Sequence, residues 1–476
     1  MIVRLKSVAL LLPMLAGSLL LVGCDSRQDR ARQAFDQYQA ASAAGDLPRA
    51  RIALASLVAV DDTVAEYWVE LGKLNLQLGD VGGAFNAFQR AYELNRADPF
   101  VLGVLTQMAL RAGNLQQAEQ RAKELELVAP EDPAVRLTYG YVALRRGDLD
   151  AANKQAGLLL DTTPFDPSAK ILKARILLLA GDSGEAVSLL REQVERQPSD
   201  QLSLRALLSI YELQERWSDA AWTARSLLRW QEKDQSLRAR LIENGLRAGS
   251  LPAAKSDTIE GLSVAQAPDI DRLLAPWIEM GKQEIVVGSV LAAARQASGD
   301  KRVAMARFLS LAGQWQAVAD LTRDLATVPV TATNITANVL YGAALARSGQ
   351  ERAGLERLDS AIRLDSGNPD ALRARAELRS RAGQHQLAIE DAQKLVAADR
   401  SSPRARLLLA GIYQTAGRGA DAKRTMWDAF HDIPAERSIY DALRVYVIKA
   451  DGASAAESLA NEYSDQRTDE MTRSFA

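Results

Sequence analysis

Chemistry needs reactive side chains, and this 476-residue chain offers few: one cysteine, Cys24, and two histidines, His385 and His431. The most suggestive string is Gly181-Asp182-Ser183-Gly184, a serine hydroxyl between glycines. A serine becomes a nucleophile only beside a histidine base that a third group holds in place. Both histidines lie far along the chain from Ser183, and neither stands in a metal-ligand spacing. No GxGxxG dinucleotide loop and no GxxxxGK[ST] phosphate loop occurs. The neighbouring carboxylates Asp61-Asp62 fall between helical segments, where capping is the simpler role. The expectation is therefore no catalytic residue, no metal and no cofactor, and a chain that is not an enzyme.

The elements that carry these residues arrive in a fixed rhythm. Ala50, Ala84, Ala118, Ala152, Ala186, Ala220 and Ala254 recur every 34 residues. A glycine stands five residues ahead of most of them, at Gly45, Gly79, Gly113, Gly147, Gly181 and Gly249. After Gly349 the beat resumes at Gly383 and Gly417, with Ala388 and Ala422 five residues on. A period of this length marks helix–turn–helix units stacked in line, because each unit can bury its apolar face only against its neighbours. Glycine followed by Asp or Asn suits the turn inside each unit, and an alanine early in the second helix lets two helices approach closely. Ser183 falls in one of these turns. Its string is similar to the segment around a chymotrypsin-type nucleophile, but that chemistry needs an all-β scaffold to place the base.

The clearest unit, Ala65 to Asp98, carries Trp68, Leu71, Gly72, Gly79-Asp80, Ala84, Phe88 and Ala91. It resembles the tetratricopeptide signature W-x2-L-G-x2-Y…A-x3-F…P, with Asn75 in the tyrosine position and Pro99 a few residues late. The resemblance implies an all-α fold, a right-handed α-solenoid. Turns near residues 45, 79, 113, 147, 181, 215, 249, 281, 313, 349, 383, 417 and 451 predict about thirteen helix pairs. The frame is less regular around Pro268 and Pro276, where the spacing shrinks. The expected organisation is residues 31–254 as an amino-terminal array, 255–300 as a degenerate repeat or bend, 301–465 as a carboxy-terminal array and 466–476 as a polar tail.

The amino terminus adds a second signal. Arg4 and Lys6 precede an apolar run from Val8 to Val22, which is too short for a membrane span and has the form of a secretory leader. Leu21-Val22-Gly23-Cys24 resembles the lipobox of bacterial lipoproteins, whose cysteine is acylated after cleavage just before it. The resemblance implies a signal peptide over 1–23, a lipidated tether over 24–30 and a membrane anchor through Cys24. Asp25 resembles the inner-membrane retention signal of enterobacterial lipoproteins, which favours the inner over the outer membrane on the periplasmic side.

Fifty-eight Lys and Arg against sixty Asp and Glu leave a formal charge of −2, without the basic excess that nucleic acid binding needs. In arrays similar to this one the first helix of each pair lines the inner groove. That resemblance assigns partner binding to Lys73, Gln77, Gln107, Arg111, Tyr141, Arg145, Arg175 and Arg205, where arginine would favour carboxylates on a peptide. The leading expectation is a lipid-anchored scaffold for proteins of an envelope assembly, secretion or exopolysaccharide-export machine. The alternative is a glycan- or peptidoglycan-binding lipoprotein using Trp217, Trp222 and Trp230.

Overall fold

The computed structural model describes residues 27–475, with side chains as far as Arg467. The signal segment, Cys24 and the start of the tether lie outside the described residues. Within them there are twenty-six α-helices and no strand. Contacts divide the chain into two units, the first reaching Leu159 and the second beginning at Leu160. The first holds α1 (Arg27–Ala43), α2 (Leu47–Val60), α3 (Ala65–Gln77), α4 (Val81–Leu94), α5 (Pro99–Arg111), α6 (Leu115–Val128), α7 (Pro133–Arg145) and most of α8 (Leu149–Thr162). The second opens with α9 (Pro167–Leu179), α10 (Ser183–Arg196), α11 (Gln201–Leu213), α12 (Trp217–Leu228), α13 (Gln235–Arg247) and α14 (Leu251–Val264). It continues through α15 (Ala267–Glu279), α16 (Glu284–Gln296), α17 (Gly299–Leu311), α18 (Trp315–Thr322), α19 (Ile335–Arg347) and α20 (Glu351–Leu364). Its last helices are α21 (Pro369–Arg381), α22 (His385–Ala398), α23 (Pro403–Thr415), α24 (Gly419–Asp432), α25 (Arg437–Asp451) and α26 (Ala453–Phe475). These form thirteen hairpins, an odd-numbered helix followed by an even one, as the turn count predicts. The architecture is an all-helical repeat solenoid.

Each hairpin turns through a residue of positive φ, and in twelve of the thirteen that residue is glycine. At Gly79, with φ +78°, an added Cβ would meet nothing within 4 Å, so it is the backbone conformation and not lack of space that selects glycine. The remaining turn carries Glu215 at φ 56°. Helix starts are set by short acceptors: Asp46, Asp80, Asp98 and Asn114 each take a backbone N–H of the first helical turn. Pro99, Pro133 and Pro167 open α5, α7 and α9, where a missing N–H costs nothing.

The rhythmic alanines are fully buried between helices. Ala50, Ala84, Ala118, Ala152, Ala186, Ala220 and Ala254 are all 0 % exposed, as are Ala388 and Ala422. Between them the same position, five residues after the turn, is taken by Val286, Val318 and Gly354. Gly354 is the tightest: an added Cβ would collide with the Gly342 carbonyl oxygen and lie 2.6 Å from the Ala346 Cβ. Helix propensity alone favours alanine over glycine by about 1 kcal/mol. Here the clash with rigid backbone reverses the sign, so Gly354→Ala should destabilise by roughly 1–3 kcal/mol. Gly411, in α23, has open space around its missing Cβ, and Gly411→Ala should instead raise the melting temperature. Thermal melts of the two variants check the pair.

Residues 255–300 comprise the rest of α14, then α15 with Pro276 inside it, and α16. The longest non-helical stretch among the described residues comes later, at 323–334, after the eight-residue α18. The Asn334 and Asn338 amides tie it down by donating to the Thr327 carbonyl at 3.2 and 3.0 Å, and Arg357 donates to the Ala326 carbonyl at 2.8 Å. At the carboxy end α26 runs on to Phe475 through the segment expected to be a polar tail. No helix among the described residues is long and apolar enough to cross a membrane.

Candidate functional site

The residues assigned to partner binding all lie on first helices of their hairpins. Lys73, Gln107, Tyr141 and Arg175 share one repeat position on α3, α5, α7 and α9, and Gln77, Arg111 and Arg145 share another one turn on. Gln77, Gln107, Arg111 and Arg145 are exposed or partly exposed, while Tyr141 is half-buried. Lys73 donates to Glu70 at 2.7 Å and lies 4.9 Å from the ring of Phe100 on α5, which is itself 46 % exposed. The first unit therefore carries Lys73, Gln77, Gln107, Arg111, Tyr141 and Arg145 as a repeated polar and basic track. Arg175 and Arg205 belong to the second unit, where Arg205 donates to Gln231 at 2.5 Å.

The second unit holds a site that periodicity did not reveal. A cavity of about 260 Å³ is bounded by Glu212, Glu215, Trp217, Arg240, Glu243, Asn244 and Arg247 on one side. Ala435, Arg437, Tyr463 and Arg467 bound it on the other. Its acidic groups are matched by cations. Glu212 accepts from Arg240 at 2.5 Å and from Asn244 at 2.8 Å, Glu243 accepts from Arg247 at 2.8 Å, and Glu215 accepts from Arg467 at 2.6 Å. The Arg247 guanidinium also lies 4.9 Å from the Trp217 ring, a cation–π geometry. Tyr463 stacks on Tyr440 with centroids 4.2 Å apart, and burial pushes its phenol above the ordinary range. On α15, burial raises the Glu279 carboxyl; Arg404, 3.2 Å away, opposes the rise, and Glu243 and Glu436 add to it. The one local signal for this site was Glu215 standing where the repeat asks for glycine.

The remaining candidates from the sequence disperse along the fold. Ser183 is the first residue of α10, His385 opens α22 and His431 lies at the end of α24. His431 Nε2 is 3.3 Å from Glu462, and its ring stacks on Trp427. Among the described residues no group of three or more His, Cys, Asp or Glu is placed to hold a metal ion. Asp61 ends α2 and accepts from Thr63, and Asp62 lies 3.5 Å from Arg90. The three tryptophans divide: Trp217 lines the cavity, whereas Trp222 and Trp230 are 56 % and 52 % exposed.

Residues 35–100 and 109–176 each match a family model described as tetratricopeptide repeat. No curated protein matches the chain. Among solved structures it is similar to a thermophilic tetratricopeptide-repeat protein of Thermus thermophilus, at 23 % identity over 38 % of this chain and 100 % of that one, with a TM-score of 0.35. Yeast Tom70 is 13 % identical over 87 % of this chain and 95 % of its own, TM-score 0.33. MamA protein is 16 % identical over 36 % and 93 %, TM-score 0.31. Likenesses this distant carry no functional inference. What the two family matches and the helical hairpins do establish is that residues 35–100 and 109–176 are tetratricopeptide repeats, a kind of protein-interaction module, within an all-helical repeat solenoid.

Proposed function

We propose that the protein is a non-enzymatic scaffold that binds partner proteins or peptides along the first helices of its repeats. Acyl chains on Cys24 hold it at a membrane of the bacterial cell envelope, facing the periplasm. The observation that carries the binding half is the shared repeat position of Lys73, Gln107 and Tyr141, with Gln77, Arg111 and Arg145 one turn further. In the first unit these side chains stand at the same heights on successive first helices, so a bound segment can meet them one after another. An extended or helical segment bearing carboxylates suits such a track, since guanidinium binds carboxylate in a bidentate fork. The anchor half rests on Leu21-Val22-Gly23-Cys24. With each buried CH₂ contributing about 0.8 kcal/mol, two or three acyl chains would make membrane attachment effectively permanent. Asp25 favours the inner membrane. A partner set within envelope assembly, secretion or exopolysaccharide export suits a long binding surface placed beside a membrane.

Affinity purification of the mature chain from solubilised envelopes tests the reading. A defined set of proteins should be recovered by the wild type and reduced about tenfold by Arg111→Glu with Arg145→Glu, since a reversed charge at each site removes an attraction and adds a repulsion. Equal recovery by the folded variant would contradict the assignment of the track. In the same strains Cys24→Ser should accumulate uncleaved precursor without lipid. Normal processing of that variant would rule out the acyl anchor.

A further inference from the structure

Among the described residues only two other than glycine hold a positive φ: Glu215 at 56° and Ala435 at 61°. A left-handed backbone is costly for any residue with a Cβ, and such residues persist where the surroundings over-determine them, often at switching sites. Both line the 260 Å³ cavity of the second unit, and both are touched by the same stretch of α26. Arg467 pairs with Glu215, Gln466 Oε1 accepts the Ala435 N–H at 3.1 Å, and the Tyr463 hydroxyl donates to the Ala435 carbonyl at 3.2 Å. Arg467 and Glu215 are 252 residues apart in sequence. The one described hairpin turn that forgoes glycine is thus the turn to which the last helix attaches.

The attachment to the far wall is polar. Ala456, Leu459 and Tyr463 of α26 belong to an apolar cluster with residues of α21 to α25. The buried apolar residues of α11 and α12 belong to a different cluster with α9 and α10, and the two clusters share no residue. Across the cavity the contact from α26 is a partly exposed ion pair, with side chains 30 % and 50 % exposed, of the kind that salt screens. Buried apolar area fastens α26 to its own neighbours, while Arg467 fastens it to Glu215.

We propose that α26 is a strap that closes this part of the second unit's groove and lifts from Glu215 when its latch is screened or reversed. The strap's consequence rests on the partner-binding reading: with the latch open, the wall of Glu215, Arg240 and Arg247 is available to a partner. A segment that replaces α26 must satisfy Glu215, so it presents a cation there, as Arg467 does.

Hydrogen exchange on the full mature chain tests the strap without any partner, so its failure is separable from failure of the partner-binding reading. Peptides covering 212–217 and 453–467 should exchange about three- to fivefold faster in roughly 0.5 M than in roughly 0.05 M sodium chloride, the scale of one screened surface pair. Arg467→Glu should exchange faster than the wild type in low salt, and added salt should slow it toward the wild type's high-salt rate, because salt then screens a repulsion with Glu215. The double exchange Glu215→Arg with Arg467→Glu should restore slow exchange. Glu215→Gly removes the carboxylate while suiting the positive φ, so it should release the latch without lowering the melting temperature. Slow exchange in Arg467→Glu and Glu215→Gly, or fast exchange in the double swap with an unchanged melting temperature, overturns the proposal.

Discussion

Trp277→Ala is expected to remove about 3–5 kcal/mol of local stability, the cost of deleting a large buried aromatic side chain. Trp277 is 0 % exposed and sits in α15, within a cluster running from Ala239 and Ile242 on α13 to Leu340 and Ala344 on α19 and including Leu246, Leu273, Val290 and Phe308. Its indole N–H donates to Thr258 Oγ1 at 2.9 Å, and that hydroxyl in turn donates to the Ala254 carbonyl at 2.8 Å. Truncation therefore leaves a void and also strips a buried oxygen of its donor. In a solenoid each repeat is supported only by its neighbours, so the loss should appear as local melting and not as a uniform shift. Limited proteolysis should cut between Ile242 and Leu309 at a protease concentration that spares the wild type. Resistance equal to the wild type would mean that the cluster around Trp277 is not the support assigned to it.

Asp391→Ala should cost about 3 kcal/mol, the lower end of the range for breaking a buried pair, because it removes the buried counter-charge that Arg375 and Arg379 share and leaves Arg375 only the more exposed Asp359. The Asp391 side chain is 2 % exposed on α22. It accepts two bonds from Arg375, at 2.9 and 2.7 Å, and one from Arg379 at 2.7 Å, both on α21. Arg375 also reaches Asp359 on α20 at 2.6 Å, so one guanidinium ties three consecutive helices. Asp359 is 40 % exposed and cannot replace the buried partner. Replacing Asp391 and Arg375 together by leucine should recover much of the loss, since apolar groups of similar volume can substitute for a buried ion pair. Calorimetry on the single and double variants would show the difference; a single variant as stable as the wild type would contradict the network's role.

The hairpin frame was legible because it is written in local terms. A glycine for each turn and a small residue five positions later recur at fixed spacing, and both are needed wherever two helices meet closely. The frame blurred where the interval between turns changes, and there Val286, Val318 and Gly354 took the alanine position unnoticed. Gly354 does the same work as the alanines by another route, letting the Gly342 backbone approach. The family resemblance put Lys73, Gln107 and Tyr141 on the groove-facing side, and the 34-residue period sets them at one repeat position. The cavity could not, because Glu215 and Arg467 meet through the accumulated geometry of the hairpins between them, which no pairwise spacing encodes. Trp217 and Trp222 lie five residues apart on α12, a spacing that puts them on different faces, while Trp230 falls beyond the helix end; of the three, Trp217 alone lines the cavity.

If the partner lies along the first helices and not the second, site-specific photocrosslinking in cells should show it without any assumption about the partner's identity. A photoreactive residue is placed at Gln107 on α5 or at Leu127 on α6. Both sites are exposed, Leu127 at 86 %, so access does not decide the outcome. Partner adducts should form from position 107 and none from 127. Adducts from 127 with none from 107 would contradict binding along the first helices.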